Sequence, residues 1–307
     1  MCDWPNTATD NNSIVDCDNC WFEANKSPVN GAAVYVNDAA NGGLVRFNGC
    51  SFTNNTASNG GGALYNQSGV AVMFNKCSFV GNTAGNNGLT IYSNAAKTRF
   101  GLNNCTLNCG TKNSDNCSGI AVKGYNVIAN TTIWSQKGVG PRGLLAMGIS
   151  NTLESTGSAV INCFLQNSKA ESHKSIWLHS NYYQNISNCI FNGLNLDNTD
   201  AKHYTLNNCA NYSGEAVGKG YINNKKVNGL VQYAYTWTWT DSYKEQMTPV
   251  TVEEVNQEIE TVPNIGPLFM NWLKTIPNSL DTDIYGVTRT PASCPGSYQQ
   301  AGTPVGK

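Results

Sequence analysis

The stretch from Lys169 to Tyr183 concentrates side chains that can move protons: Lys169, Glu171, His173, Lys174, His179, Tyr182 and Tyr183. Two of the three histidines lie here, and the third, His203, follows between Lys202 and Tyr204. A histidine or lysine can serve as general base and a tyrosine as acid. Ser175-Ile-Trp177-Leu-His179 reads as a strand, and alternation puts Trp177 and His179 on one face. The candidate catalytic residues are therefore Glu171, His173, His179 and His203, with Trp177 and Tyr182 as neighbouring ligand contacts. The plainer reading is a solvated strand face carrying ordinary surface histidines. Zinc on His173 and His179 lacks a third ligand at sensible spacing. No metal and no cofactor is expected.

A second candidate is Tyr233-Ala-Tyr235-Thr-Trp237-Thr-Trp239-Thr. Strict alternation places these aromatics on one face of a strand. Tyr235, Trp237 and Trp239 would form a platform on which sugar rings stack, their polar tips suiting a partly wet site. The alternative is that this face packs on the rest of the protein.

Acids are dispersed. Asp38, Asp115, Glu154, Glu171, Asp197, Asp200 and Glu215 form no pair, and Asp281-Thr-Asp283 lies near the end of the chain. Glycoside hydrolysis takes two facing carboxyl groups, and calcium-dependent elimination takes several carboxylate oxygens on one ion. Arginine is scarce too, at Arg46, Arg99, Arg142 and Arg289. Binding is therefore expected ahead of cleavage.

These residues hang on a repeat. Asn19-Cys20-Trp21-Phe22, Gly49-Cys50-Ser51-Phe52, Lys76-Cys77-Ser78-Phe79 and Asn104-Cys105-Thr106-Leu107 are copies of one motif, which recurs at Cys163, Cys189 and Cys209. Asn130-Thr131 holds the same place with threonine. The steps are 30, 27, 28, 26, 32, 26 and 20 residues, a period that marks a solenoid. A second half, Phe-x-x-Asn-x5-Gly-x3-Tyr, matches at Phe22–Tyr35, Phe52–Tyr65 and Phe79–Tyr92. Each unit then holds three short apolar segments joined by Asn/Gly corners, which accept left-handed backbone. The expected architecture is an all-β, single-stranded, right-handed parallel β-helix over residues 1–225. Its eight coils would stack to about 40 Å at the strand spacing.

Equivalent positions stack, so the seven ladder cysteines are expected as small buried apolar groups and not as disulfides. Cys109 and Cys117 are the best disulfide candidates. Cys17 and Cys20 form a CxxC with no second pair for zinc or redox work. Residues 226–307 differ in pattern. Thr251-Val-Glu-Glu254 is a capping box opening a helix, and Val252, Val255, Ile259 and Val262 give its apolar stripe. This segment is expected to cap the last coil and cover its unpaired strand edges.

The 307-residue chain has net charge −1 and 13% charged residues. That argues against nucleic acid and against docking on anionic lipid. Met1 reads as an expression start on a trimmed chain, and membrane attachment is expected only through a removed leader or a lipid on Cys2.

The Phe-x-x-Asn…Gly-Gly-Ala-Leu-Tyr pattern over Phe52–Tyr65 resembles the repeats of polymorphic outer-membrane proteins and related bacterial adhesins. The ending Ile265-Gly-Pro-Leu-Phe269, Asp283-Ile-Tyr-Gly-Val-Thr-Arg289 and Pro295-Gly-Ser-Tyr298 resembles that of secreted bacterial right-handed parallel β-helix proteins. The resemblance implies the pectin-lyase-like fold and a protein secreted or held at the outer surface of a bacterium. Arg289 would tether the final turn. The functional expectation is a monomeric, adhesin-like binder of a polysaccharide or host glycan. A polysaccharide lyase or hydrolase working around 169–204 is the alternative, and a spike-like trimeric binder a third.

Overall fold

The computed structural model describes residues 14–37, 42–110, 117–135, 139–140, 142–148, 157–167, 175–179, 183–191, 194–197, 204–211, 250–289 and 295–297. Every paired strand of the repeats is parallel to its neighbours, and each pairs with the equivalent strand one coil away. Among the described residues the first sheet has eight strands, from Ile14–Asp18 to Tyr204–Asn207. The second has eight, from Trp21–Glu23 to Ala210–Asn211. The third has seven, from Val34–Val36 to Leu194–Asp197. This is the expected all-β parallel β-helix.

One expectation is corrected. The first three coils hold a fourth short strand, at Lys26–Ser27, Thr56–Ala57 and Thr83–Ala84. Stacked asparagines split off this piece. Asn25 Nδ2 donates to Asn55 Oδ1 and Asn55 Nδ2 to Asn82 Oδ1, each at 2.8 Å. Their bend leaves room for a separate two-residue strand.

The repeat motif has a local physical cause. The residue before every ladder position is left-handed: Asn19, Gly49, Lys76, Asn104, Asn130, Asn162, Asn188 and Asn208 have φ between 48° and 65°. Glycine and asparagine enter this region most cheaply. The following side chain then turns inward. The thiols of Cys77, Cys105, Cys163, Cys189 and Cys209 each donate to the carbonyl two residues earlier, at 3.0–3.3 Å. Thr131 Oγ1 makes the same bond to Ala129 O at 2.7 Å. Among the described residues Cys109 is a free thiol. The expected Cys109–Cys117 bridge is therefore absent; both residues are buried. Cys2 and Cys294 lie outside the described residues.

Phenylalanine fills the interior beside the ladder. Phe22, Phe52 and Phe79 stack with centroids 4.6 and 4.8 Å apart, the spacing of the strands themselves. Another asparagine column, Asn48–Asn75–Asn103–Asn130–Asn162, links corner to corner with Nδ2-to-Oδ1 bonds of 2.7–2.9 Å.

Among the described residues two helices follow the coils: α1, Val252–Thr261, and α2, Gly266–Leu273. The capping box forms as expected, with Thr251 Oγ1 accepting from Glu254 N and Glu254 Oε2 accepting from Thr251 N. Val255, Ile259, Val262, Ile265, Phe269 and Met270 pack on Met73, Val127, Ala129, Ala159 and Ile161. This helical cap thus lies along the outer flank of the first sheet, not over the strand edges of the last coil. The reason is the sheet's outward face. Its central column runs Arg46, Met73, Gly101, Val127, Ala159, Asn185, Thr205 by register. The middle of that column is apolar, and the apolar stripe of the helices buries its surface against it. The boundary near residue 225 lies outside the described residues.

Candidate functional site

The column turns polar at Asn185 and Thr205, and a groove opens there between α1 and the first sheet. Gly157, Ser158, Ala159, Gln184, Asn185, Tyr204, Thr205, Glu258, Thr261, Val262 and Pro263 line it, enclosing about 470 Å³. Such a volume falls in the range of about 300–1,000 Å³ typical of small-molecule sites.

Local sequence builds each wall. Strands Gly157–Ile161, Tyr183–Ser187 and Tyr204–Asn207 form the floor, with Ala159, Asn185 and Thr205 in register. Helix α1 supplies Glu258, three residues after Val255 and four before Val262, hence on the face that meets the sheet. The chain leaves α1 through Pro263, which presses on the strand at Gly157. A Cβ at Gly157 would meet Pro263 Cδ at 2.9 Å, so glycine permits this approach.

A chain of hydrogen bonds fixes the polar side chains. Thr205 Oγ1 donates to Asn185 Oδ1 at 2.7 Å, and Asn185 Nδ2 donates to Glu258 Oε1 at 2.7 Å. Ser187 Oγ also donates to Glu258 Oε1. Among the described residues nothing engages Glu258 Oε2. The groove thus offers a held carboxylate with one oxygen open, and the hydroxyls of Thr205 and Thr261 beside it. Ala159, Val262 and Pro263 form its apolar wall. Burial raises the Tyr204 phenol above its usual range, and Tyr204 packs with the interior core of the coils.

Most residues expected to act from the sequence are not placed. Glu171, His173, Tyr182, His203, Tyr235, Trp237 and Trp239 lie outside the described residues. Trp177 is described and only 6% exposed. It sits on the outer face of the third sheet in a row with Tyr65, Tyr92, Ala121 and Ala146, with the Arg142 guanidinium 5.4 Å from its ring centroid. His179 ends the same strand, and its register partner is Asp197.

Sequence reading missed Glu258, Asn185, Ser187 and Thr205. One signal was available: a carboxylate inside the Val255–Val262 stripe breaks an otherwise apolar helix face. Among the described residues no cluster of three His, Cys, Asp or Glu side chains could hold a metal ion, and no helix is long and apolar enough to cross a membrane. Comparison with protein-family models, with curated proteins and with solved structures finds no match to this chain.

Proposed function

We propose that this chain is an exported or cell-surface, adhesin-like β-helix protein of pectin-lyase-like architecture that binds a neutral glycan without cleaving it. One observation carries the reading: the groove pairs an anchored carboxylate, amide and hydroxyls with an apolar wall. Sugars present that pattern in reverse, with hydroxyl donors on the rim and C–H faces on the ring. Glu258 is the one charged group in the described lining. Among the described lining residues no cation faces it to offset an anionic polysaccharide, which favours neutral sugar. The same lining offers a single carboxylate where hydrolysis takes two. Export, surface location and bacterial origin rest on the resemblance of the repeats and the ending.

The test is a glycan array probed with the full chain, then titration calorimetry on its strongest ligands. Neutral glycans should bind, and Glu258→Gln and Asn185→Ala should each weaken binding about tenfold, the effect of a lost hydrogen bond of about 1.4 kcal/mol. Binding confined to acidic glycans, or indifferent to both substitutions, would refute it.

A second reading has one observation in its favour. His179 and Asp197 hold adjacent register positions on the third sheet, inside the 169–204 region proposed for polysaccharide cleavage. Release of reducing ends or unsaturated products, lost in His179→Ala, would replace the binding-only reading.

A further inference from the structure

Among the described residues the first coil supplies the terminal strand of all four sheets, and Ile14, Trp21, Val29 and Tyr35 are exposed on it. This end of the solenoid brings three thiols together. Register pairs Asp18 with Asn48 and Trp21 with Ser51, which sets Cys20 on Cys50. Partner Cα atoms in parallel strands lie about 4.8 Å apart. Disulfides span Cα separations of about 4.4–6.8 Å. The two residues already touch: the Cys20 backbone N–H donates to Cys50 Sγ at 3.4 Å. Cys17 borders the pair, its carbonyl accepting the Cys50 thiol at 3.1 Å.

Exposure separates these residues from the rest of the ladder. Cys17 and Cys20 are half-buried, and every other described cysteine is buried. Burial pushes the Cys77 and Cys189 thiols well above their usual range. Cys50 differs: its hydrogen bond with Cys77 draws it down to about 7 despite burial. Desolvation raises Cys20. Cys50 is thus the readier thiolate and Cys20 the sulfur that solvent reaches.

We propose that Cys20 and Cys50 are an oxidisable pair that closes to a disulfide on exposure to a peroxide, stapling the first coil to the second. Cys20 sulfur attacks one peroxide oxygen and the O–O bond breaks. One oxygen stays as the Cys20 sulfenic acid, and the other leaves as water with the thiol proton. Cys50 sulfur then attacks Cys20 sulfur. The S–S bond forms, the S–O bond breaks, and hydroxide leaves as water with the second thiol proton. Two thiols lose two electrons in all, and one peroxide becomes two waters. The deeper rungs stay reduced because the oxidant does not reach them.

The test uses the full chain, reduced, desalted and treated with a few equivalents of hydrogen peroxide. Remaining thiols are alkylated under denaturing conditions, and peptides are mapped without reduction. The expected product is a Cys20–Cys50 linked peptide with two thiols lost per chain. A Cys17–Cys20 link, Cys20 sulfinic acid beside an alkylated Cys50, or an unchanged thiol count would each overturn the proposal. Cys50→Thr keeps the rung, since Thr131 fills an equivalent one. This variant should melt as a folded protein and carry peroxide oxidation on Cys20 as sulfenic or sulfinic acid. Cys17→Ser should still form the link, and its loss there would also overturn the proposal.

Discussion

Arg289 and Asn104, 185 positions apart, share a 2.5 Å hydrogen bond from Nη2 to Oδ1. The same guanidinium nitrogen donates to Gly296 O at 3.1 Å. Asn104 is also a left-handed corner of the repeat, with φ 52°. Its Nδ2 donates to Ser279 O and Thr282 O, at 3.1 and 2.9 Å. One asparagine therefore turns a coil and anchors the C-terminal segment on it.

Removing that anchor should destabilise the whole protein. Arg289 is 5% exposed, and Arg289→Ala strips buried acceptors of a charged donor, a loss of about 2–3 kcal/mol. Arg289→Lys keeps charge without the planar fork and should fall between. Urea midpoints measure both. An unchanged midpoint in Arg289→Ala would show that the ending does not hold the fold.

The flank position of the helices rests on Gly101. A Cβ there would lie 2.9–3.0 Å from Phe269 ring atoms. Gly101→Ala should therefore cost about 1–3 kcal/mol through overpacking, although alanine normally suits a strand better than glycine. Phe269→Leu in the same chain should recover part of the loss. Stabilisation by Gly101→Ala alone would place α2 elsewhere.

The ladder should accept threonine and reject bulk. Cys105→Thr should stay within about 1 kcal/mol of the parent, because a hydroxyl can repeat the Thr131 bond. Cys105→Leu should cost about 1–3 kcal/mol in a filled interior. In reduced native protein, Cys17 and Cys20 should react with a thiol reagent ahead of the buried rungs, which should respond only on unfolding. Equal rates at every rung would contradict the stacked arrangement.

Alkaline pH should unfold the protein. Burial pushes the Cys109 thiol up to about 12. Burial, followed by the neighbouring Tyr65, pushes Tyr92 up to about 12. Each group stays protonated in the folded chain while its unfolded counterpart ionises, near 9 for the thiol and 10 for the phenol. Stability is then full below pH 9 and falls as pH rises toward 12, at up to about 1.4 kcal/mol per pH unit for each group. Cys50, lowered to about 7, acts in the opposite sense between pH 7 and 9. Urea midpoints across pH 8–11 should therefore decline above pH 9, more steeply above 10. A flat profile there would mean these groups are not buried as described.

Much of the architecture was legible because it repeats. Asn-Cys-x-Phe encodes a left-handed corner, a small inward group and a stacked ring, all set within a few residues. Thr131 in the cysteine register was enough to separate a packing slot from a bridge. The capping box and apolar stripe of α1 were equally local and formed as read. The fourth strand escaped because it arises from asparagine stacking between coils, which one copy of the repeat does not reveal. Cys109 and Cys117 misled because nearness in sequence resembles nearness in space.

The sequence by itself determined the rung, since turn geometry and inward size are short-range demands that each coil must meet alone. Only the tertiary structure decided where the helices lie and which polar groups share a groove. Asn185, Ser187, Thr205 and Glu258 come from two strands and a distant helix, and they converge because register aligns one outward column that α1 then crosses. The Cys20–Cys50 contact has the same origin: a CxxC unremarkable along the chain gains a third thiol when the next coil stacks on it.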